Sequence, residues 1–264
     1  MVRRLLLAVV LAASVVPLLY LGILTLTPQS EVLSGSVLPG RLTTDNWPAF
    51  WQRMPILSYG VNSVVAAIAG AVLSLAIATP VAYAIVRYRT GGEFLPTFVL
   101  SAFVAPPVVA VIPMFFLLRY AGLLNSSLGL ALIYGLVNVS VATWLLHGFV
   151  ERIPHEIEEA AQIDGAGVLR TIWHVVLPLL APGLVATGTI LLILNYNEFL
   201  FALTVTQRAE SQTLPVAISL FQGDRGVQFG QMAAASVTAM VPVYLAATLL
   251  QKWLVGGLTS GGVK

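Results

Sequence analysis

Six long apolar runs decide what this chain can become. They lie at Leu5–Thr25, Ser63–Val86, Leu95–Leu118, Leu128–Val150, Pro182–Val205 and Met232–Leu254. Each is close to the roughly 20 residues that an α-helix needs to cross a bilayer core. Unpaired peptide groups are too costly in lipid for such runs to be anything but helical, and a β-barrel would show short alternating segments instead. Composition agrees. Of 264 residues, 58% are hydrophobic and 9% are charged, against about 25% charged in soluble domains. The runs predict an all-α membrane protein with six transmembrane helices in a single domain, 1–264.

Other classes fall away on simple grounds. The net charge of +2, with no basic run longer than two residues, does not suit nucleic-acid binding. With no cysteine, disulfides and thiolate metal sites are excluded. Arg3-Arg4 before an apolar run resembles the start of a signal peptide, but the run continues for about twenty residues without a clear small-x-small cleavage site, so a retained helix is expected. With the N-terminus inside, the inner segments hold eight basic residues (Arg3, Arg4, Arg87, Arg89, Arg152, Arg170, Lys252, Lys264). The outer segments hold five (Arg41, Arg53, Arg119, Arg208, Arg225). That bias favours both termini in the cytoplasm.

Smaller features predict how the bundle is built. Thr44-Asp45-Asn46 ahead of Trp47–Met54 reads as a capped, amphipathic surface helix, and Gln212–Gln222, with Pro215 near its start, as another. The second run places Ala66, Gly70, Ser74, Ala78 and Ala82 in register, a row that lets backbones approach closely in lipid. The third carries Pro96, Pro106, Pro107 and Pro113, which should bend or interrupt it.

The polar segment 151–181 is the best place for a soluble partner. Ile153-Pro154 opens a helix, with proline tolerated in its first turn, and Glu156, Glu158 and Glu159 crowd the positive helix end. Ala160 and Ala161 suit close fitting into a groove, and Gly165 stops the helix in a left-handed turn. Val168–Val175 restarts as a second short helix, and Pro178 and Pro182 delimit the start of the fifth span. The product is a helix-turn-helix tied directly to a membrane span.

Glu159-Ala160-Ala161, three residues, Gly165, nine residues, Val175, one residue and Leu177-Pro178 resembles the coupling-loop signature of ABC importer permeases. Asn62-Ser63, Gly122–Asn125, Trp144–Leu146 with Gly148-Phe149, Asn197–Leu203 and the tail Gly257–Lys264 extend the likeness over nearly the whole chain. The chain is similar to the maltose-permease-like, carbohydrate-type branch. Val175 stands where isoleucine is usual and Tyr196 where tryptophan is frequent, and Tyr88–Glu93 has fewer basic residues than usual.

The resemblance implies the type I ABC importer permease fold in a bacterial or archaeal plasma membrane. It also implies a second homologous permease, two cytoplasmic ATPase subunits and an extracytoplasmic solute-binding protein as partners. Glu159, Ala160, Ala161, Asp164, Gly165 and Ala166 become the ATPase-coupling residues, and Thr259, Ser260, Gly261 and Gly262 a tail that reaches the ATPase. No cofactor is expected on this chain. ATP and Mg belong to the ATPase partner, since no Gly-x-x-x-x-Gly-Lys-Ser/Thr loop is present.

Asn195, Asn197 and Glu198 are the solute-path or gating candidates. Asn195 and Glu198 share a helix face at i, i+3, and a bridging or gating role is favoured over solute contact. A secondary transporter or channel using Glu198 is the alternative, because a carboxylate inside a span is functional by default. A zinc protease has one foothold, His155-Glu156, but Glu159 occupies the place of the second histidine.

Overall fold

The computed structural model describes residues 1–35, 38–223 and 226–259. In chain order its helices are α1 (Val2–Thr25), α2 (Gln29–Leu33), α3 (Asn46–Arg53), α4 (Ile56–Tyr88), α5 (Phe94–Val104), α6 (Val108–Tyr120), α7 (Ser127–Val137) and α8 (Val139–Val150). Then follow α9 (His155–Ile163), α10 (Val168–Thr171), a π-helical turn at Ile172–Val176, α11 (Leu177–Tyr196), α12 (Leu200–Val205), α13 (Leu214–Ser219) and α14 (Phe229–Thr259). A two-residue antiparallel hairpin, β1 (Gln222–Gly223) with β2 (Gly226–Val227), adds a small departure from an all-helical chain.

Among the described residues, four helical stretches are long and apolar enough to cross a membrane: α1, α4, the continuous Val168–Tyr196 and Phe229–Gln251 of α14. A fifth is the pair α7 and α8, bent by 49° between them. The third apolar run is interrupted more sharply. It ends as α5 at Val104 and resumes as α6 at Val108, on either side of Ala105-Pro106-Pro107. Consecutive prolines remove two backbone donors and push the preceding residue into extended geometry, and Ala105 has ψ 133°.

The row of small residues on α4 is the spine of the bundle. Ala66, Ser74, Ala78 and Ala82 are fully buried, and Gly70 is buried with them. Gly70 lies so close to α7 that a Cβ there would stand 2.6 Å from Tyr134 Cβ. Ser74 donates its hydroxyl to the Gly135 carbonyl at 2.9 Å, and Gly135 in turn leaves room for Leu73. Close backbone approach fixed by a few polar contacts is how helices associate where the hydrophobic effect contributes little. Helix α4 therefore contributes to all three apolar clusters, around Leu146 and Val176, around Phe50 and Tyr196, and around Leu130 and Phe201. Helix α1 is the opposite case, with none of its apolar stretch buried.

The surface helices are present, but one is held differently than expected. Asp45 precedes α3 without capping it, because its carboxylate accepts the Thr43 hydroxyl instead. Asn46 Nδ2 reaches back to the carbonyls of Thr25 and Thr27, so α3 is pinned to the end of α1. The second, α13, carries Pro215 in its first turn and is shorter than the expected span.

Candidate functional site: the α9–α10 turn and the break in the fifth span

Helix α9 begins one residue later than the sequence suggests. Pro154 sits just outside it, at ψ 134°, and the first turn carries Glu156 and Glu158. The helix stops in a Schellman turn. Ala166 N–H donates to Ala161 C=O at 2.9 Å and Gly165 N–H to Gln162 C=O at 3.0 Å, with Gly165 at φ +83°. Two otherwise orphaned carbonyls are thus paired, at a residue that needs no Cβ.

Val168–Val175 does not form a separate helix. Four α-helical residues pass through the π-helical turn Ile172–Val176 straight into α11, so one continuous helix runs from Val168 to Tyr196. Pro178 accounts for the tolerance. It falls in the first turn of α11, directly after the turn in which the ladder shifts from i−4 to i−5, where its missing N–H disturbs least. Pro182 lies inside α11 and delimits nothing.

The expected docking residues form an open surface. Glu159, Ala160, Asp164 and Gly165 are exposed, and Ala161 and Ala166 are half-buried. Ile163 and Leu169 beside them are 86% and 74% exposed, with Trp173 also open. Bulky apolar side chains thus flank the polar turn. His155 Nδ1 lies 3.5 Å from Glu159 Oε1, an exposed i, i+4 pair, and no metal-ligating cluster of three occurs among the described residues.

Glu158 departs from the expectation for its turn. Rather than facing water with its neighbours it is 2% exposed, with Oε1 2.6 Å from Arg87 Nε and Oε2 accepting the Tyr83 hydroxyl at 2.7 Å. Nothing local in the sequence separates Glu158 from Glu156 and Glu159, because its partners come from α4, 71 and 75 residues away.

The fifth apolar run is also broken. Helix α11 ends at Tyr196, Asn197 and Glu198 leave it, and α12 starts at Leu200. Glu198 therefore shares no helix face with Asn195. Its carboxylate accepts from Phe201 N–H at 2.9 Å and Ala202 N–H at 3.1 Å, capping α12, and from the Tyr134 hydroxyl at 3.0 Å. Asn195 is buried. It donates to Ala67 C=O at 3.0 Å and accepts from Asn138 Nδ2 at 2.8 Å. Asn138 is the residue at which α7 turns into α8, so the two interruptions meet through one amide pair. Asn197 is the exposed member of the three, its amide donating back to Ile193 C=O. Of the tail, Thr259 closes α14, while Ser260, Gly261 and Gly262 lie outside the described residues.

Residues 81–260 match the family model of the binding-protein-dependent transport system inner membrane component. The chain belongs to this family. It is 31% identical to the trehalose/maltose transport system permease protein of Thermococcus litoralis, over 94% of this chain and 91% of that one. It is 34% identical to a diacetylchitobiose uptake system permease protein of Streptomyces coelicolor, over 97% and 95%. Among solved structures it superimposes on a chain of a bacterial ABC transporter involved in the import of the acidic polysaccharide alginate. The TM-score is 0.77 and the identity 22%, covering 95% of this chain and 94% of that one. The fold is that of the type I importer permeases, multi-pass in the membrane, and the family is a transport component rather than an enzyme.

Proposed function

We propose that this permease is one of two membrane subunits of an ATP-driven, binding-protein-dependent importer for a sugar, oligosaccharide, polyol or glycerol-phosphate-type solute. The geometry that carries the reading is the turn at Gly165. An exposed helix, α9, ends there in a left-handed turn and the chain returns as a single helix to Tyr196, so whatever grips α9 acts on a membrane span. Glu159, Ala160, Ala161, Asp164, Gly165 and Ala166 would seat in a groove of a cytoplasmic ATPase, which binds ATP and Mg. The tail from Thr259 to Gly262 would approach the same partner.

In this reading six segments cross the membrane, with α5 and α6 together forming the third, and both termini are cytoplasmic. The trehalose/maltose and diacetylchitobiose relatives support the solute class. Asn197, exposed at the break in the fifth span, is the residue of its trio that would meet solute or the second permease, while Asn195 and Glu198 hold the break in shape. Glu198 already accepts three hydrogen bonds as a helix cap, which argues against a proton carrier.

Reconstitution tests the assignment. The purified subunit alone in liposomes should neither hydrolyse ATP nor move labelled maltose, trehalose or diacetylchitobiose. Adding the second permease, the ATPase pair and the binding protein should give ATP-dependent uptake. Accumulation by this subunit alone, driven by a proton or sodium gradient, would overturn it.

A further inference from the structure

We propose that Arg87, Glu158 and Tyr83 form a latch that fastens α9 to the end of α4, so that displacement of α9 carries α4 with it as well as α11. Arg87 and Glu158 are then positioning residues for coupling. The inference rests on the importer reading above and adds a second route from the coupling helix into the bundle.

Glu158 is the only buried residue of α9. An amphipathic surface helix would ordinarily bury an apolar side chain, yet α9 presents a carboxylate to the bundle and leaves Ile157 and Ile163 outside. Withdrawing a charge from water is unfavourable unless it is paired and hydrogen-bonded. Here both oxygens are engaged, one by Arg87 Nε at 2.6 Å and the other by the Tyr83 hydroxyl at 2.7 Å. Arg87 also donates from Nη2 to Ile153 C=O at 2.5 Å. The guanidinium thus holds α9 by a side chain and the segment leading into it by a peptide oxygen. Two grips from one rigid fork fix an orientation as well as a position.

Charge suits this task better than packing. Apolar contact is non-directional and lets surfaces slide, whereas a fork that spans a carboxylate and a peptide carbonyl resists rotation. A buried ion pair adds little stability over a well-packed apolar pair, and its best-attested use is to set a register. The place where the pair acts matters equally. Tyr83 and Arg87 lie one turn apart at the end of α4, the helix whose small-residue row meets α7, α8 and α11. Elsewhere α9 packs against α10 and the π-helical turn Ile172–Val176, contacts that tie it to the helix returning as α11, whereas the latch ties it to α4.

The test uses the assembled complex with its second permease and ATPase pair. Single cysteines at Glu156 and Thr90, both exposed and outside the docking residues, carry spin labels, since the chain has no cysteine of its own. The α9–α4 distance is read by pulsed EPR with and without ATP. The latched protein should give one narrow distribution that ATP leaves unchanged. Glu158→Gln should keep its ATPase at wild-type stoichiometry, because the docking surface is untouched, but broaden that distribution and make it shift with ATP.

Should Glu158→Gln fail to insert, the double variant Arg87→Gln/Glu158→Gln leaves no unpaired buried charge and gives the same readout. A merely stabilising pair would leave the double variant's distance unmoved by ATP. That result, or loss of the ATPase from either variant, would overturn the latch. A wild-type chain that retains no ATPase would overturn the importer reading instead.

Discussion

Gly70→Ala is the most exacting test of the packing described here, because it adds one methyl group to a helix that should otherwise welcome it. In an unconstrained helix the change is favourable by about 1 kcal/mol. At position 70 the new carbon would lie 2.6 Å from Tyr134 Cβ, 3.0 Å from Asn195 Nδ2 and 3.3 Å from the Ala131 carbonyl oxygen. Carbon atoms in contact rest at roughly 3.5–4.0 Å, so α4 and α7 must part by about 1 Å. Two of these neighbours are a Cβ and a backbone oxygen, neither free to swing aside.

Overpacking of this kind costs about 1–3 kcal/mol. Separation also weakens the Ser74–Gly135 and Asn195–Ala67 hydrogen bonds, worth about 0.6 kcal/mol each between membrane helices. After the helix gain is deducted, the net loss is about 1–3 kcal/mol. Gly148→Ala in α8 is the matched control, for a Cβ there meets nothing within 4 Å, and it should be neutral or stabilising by up to about 1 kcal/mol. Unfolding of the detergent-purified chain in SDS, followed by tryptophan fluorescence, gives both values. If Gly70→Ala gains as much stability as Gly148→Ala, the α4–α7 approach described here is wrong.

Three further outcomes are expected. Gly165→Val places a β-branched residue at φ +83°, a region such residues rarely adopt. The protein should insert normally, yet ATPase co-purification and ATP-dependent uptake should fall together, and normal values for both would refute the coupling role. Asn195→Leu leaves Asn138 Nδ2 and Ala67 C=O without their partner, so SDS unfolding should show a loss of roughly 1–3 kcal/mol, and an unchanged midpoint would mean the amide pair does not join the two breaks. A cysteine at Ala209 should react with an impermeant thiol reagent added outside intact cells, while one at Gln162 should react only after permeabilisation; the reverse pattern would invert the topology.

What the residues disclosed in advance follows from which forces are local. Apolar runs declare helices because lipid leaves a peptide no other partner, and Pro106-Pro107 announces its own interruption. Gly165 at the end of a polar helix likewise reads as a stop. The break after Tyr196 was not legible, because Phe199–Leu203 keeps the hydropathy of a span. Only the cap that Glu198 forms on α12, with Tyr134 beyond it, ends the helix there. The burial of Glu158 depends likewise on Arg87 from another helix, and three neighbouring glutamates look alike until that helix arrives. The merging of α10 into α11 was hidden by Pro178, which suggests a boundary wherever a π-helical turn does not absorb it.

The uninterrupted stretch Val168–Tyr196 has 29 residues, about 43 Å at the rise of an α-helix. Gripped at α9 as proposed above, a rod of that length would act as a rocker. Pivoting by roughly 10° about its midpoint carries its two ends about 4 Å in opposite directions, with no change in any internal hydrogen bond. One end hangs beside Gly165 and the other carries Asn195. Because the rod stops at Tyr196, the shorter α12 beyond it, seated against α6 and α7, need not turn with it. Asn195 at the rod's end, however, would have to part from Asn138 or carry it along. Motion begun on one side of the membrane would then open a gap on the other at the joint between Asn197 and Phe199.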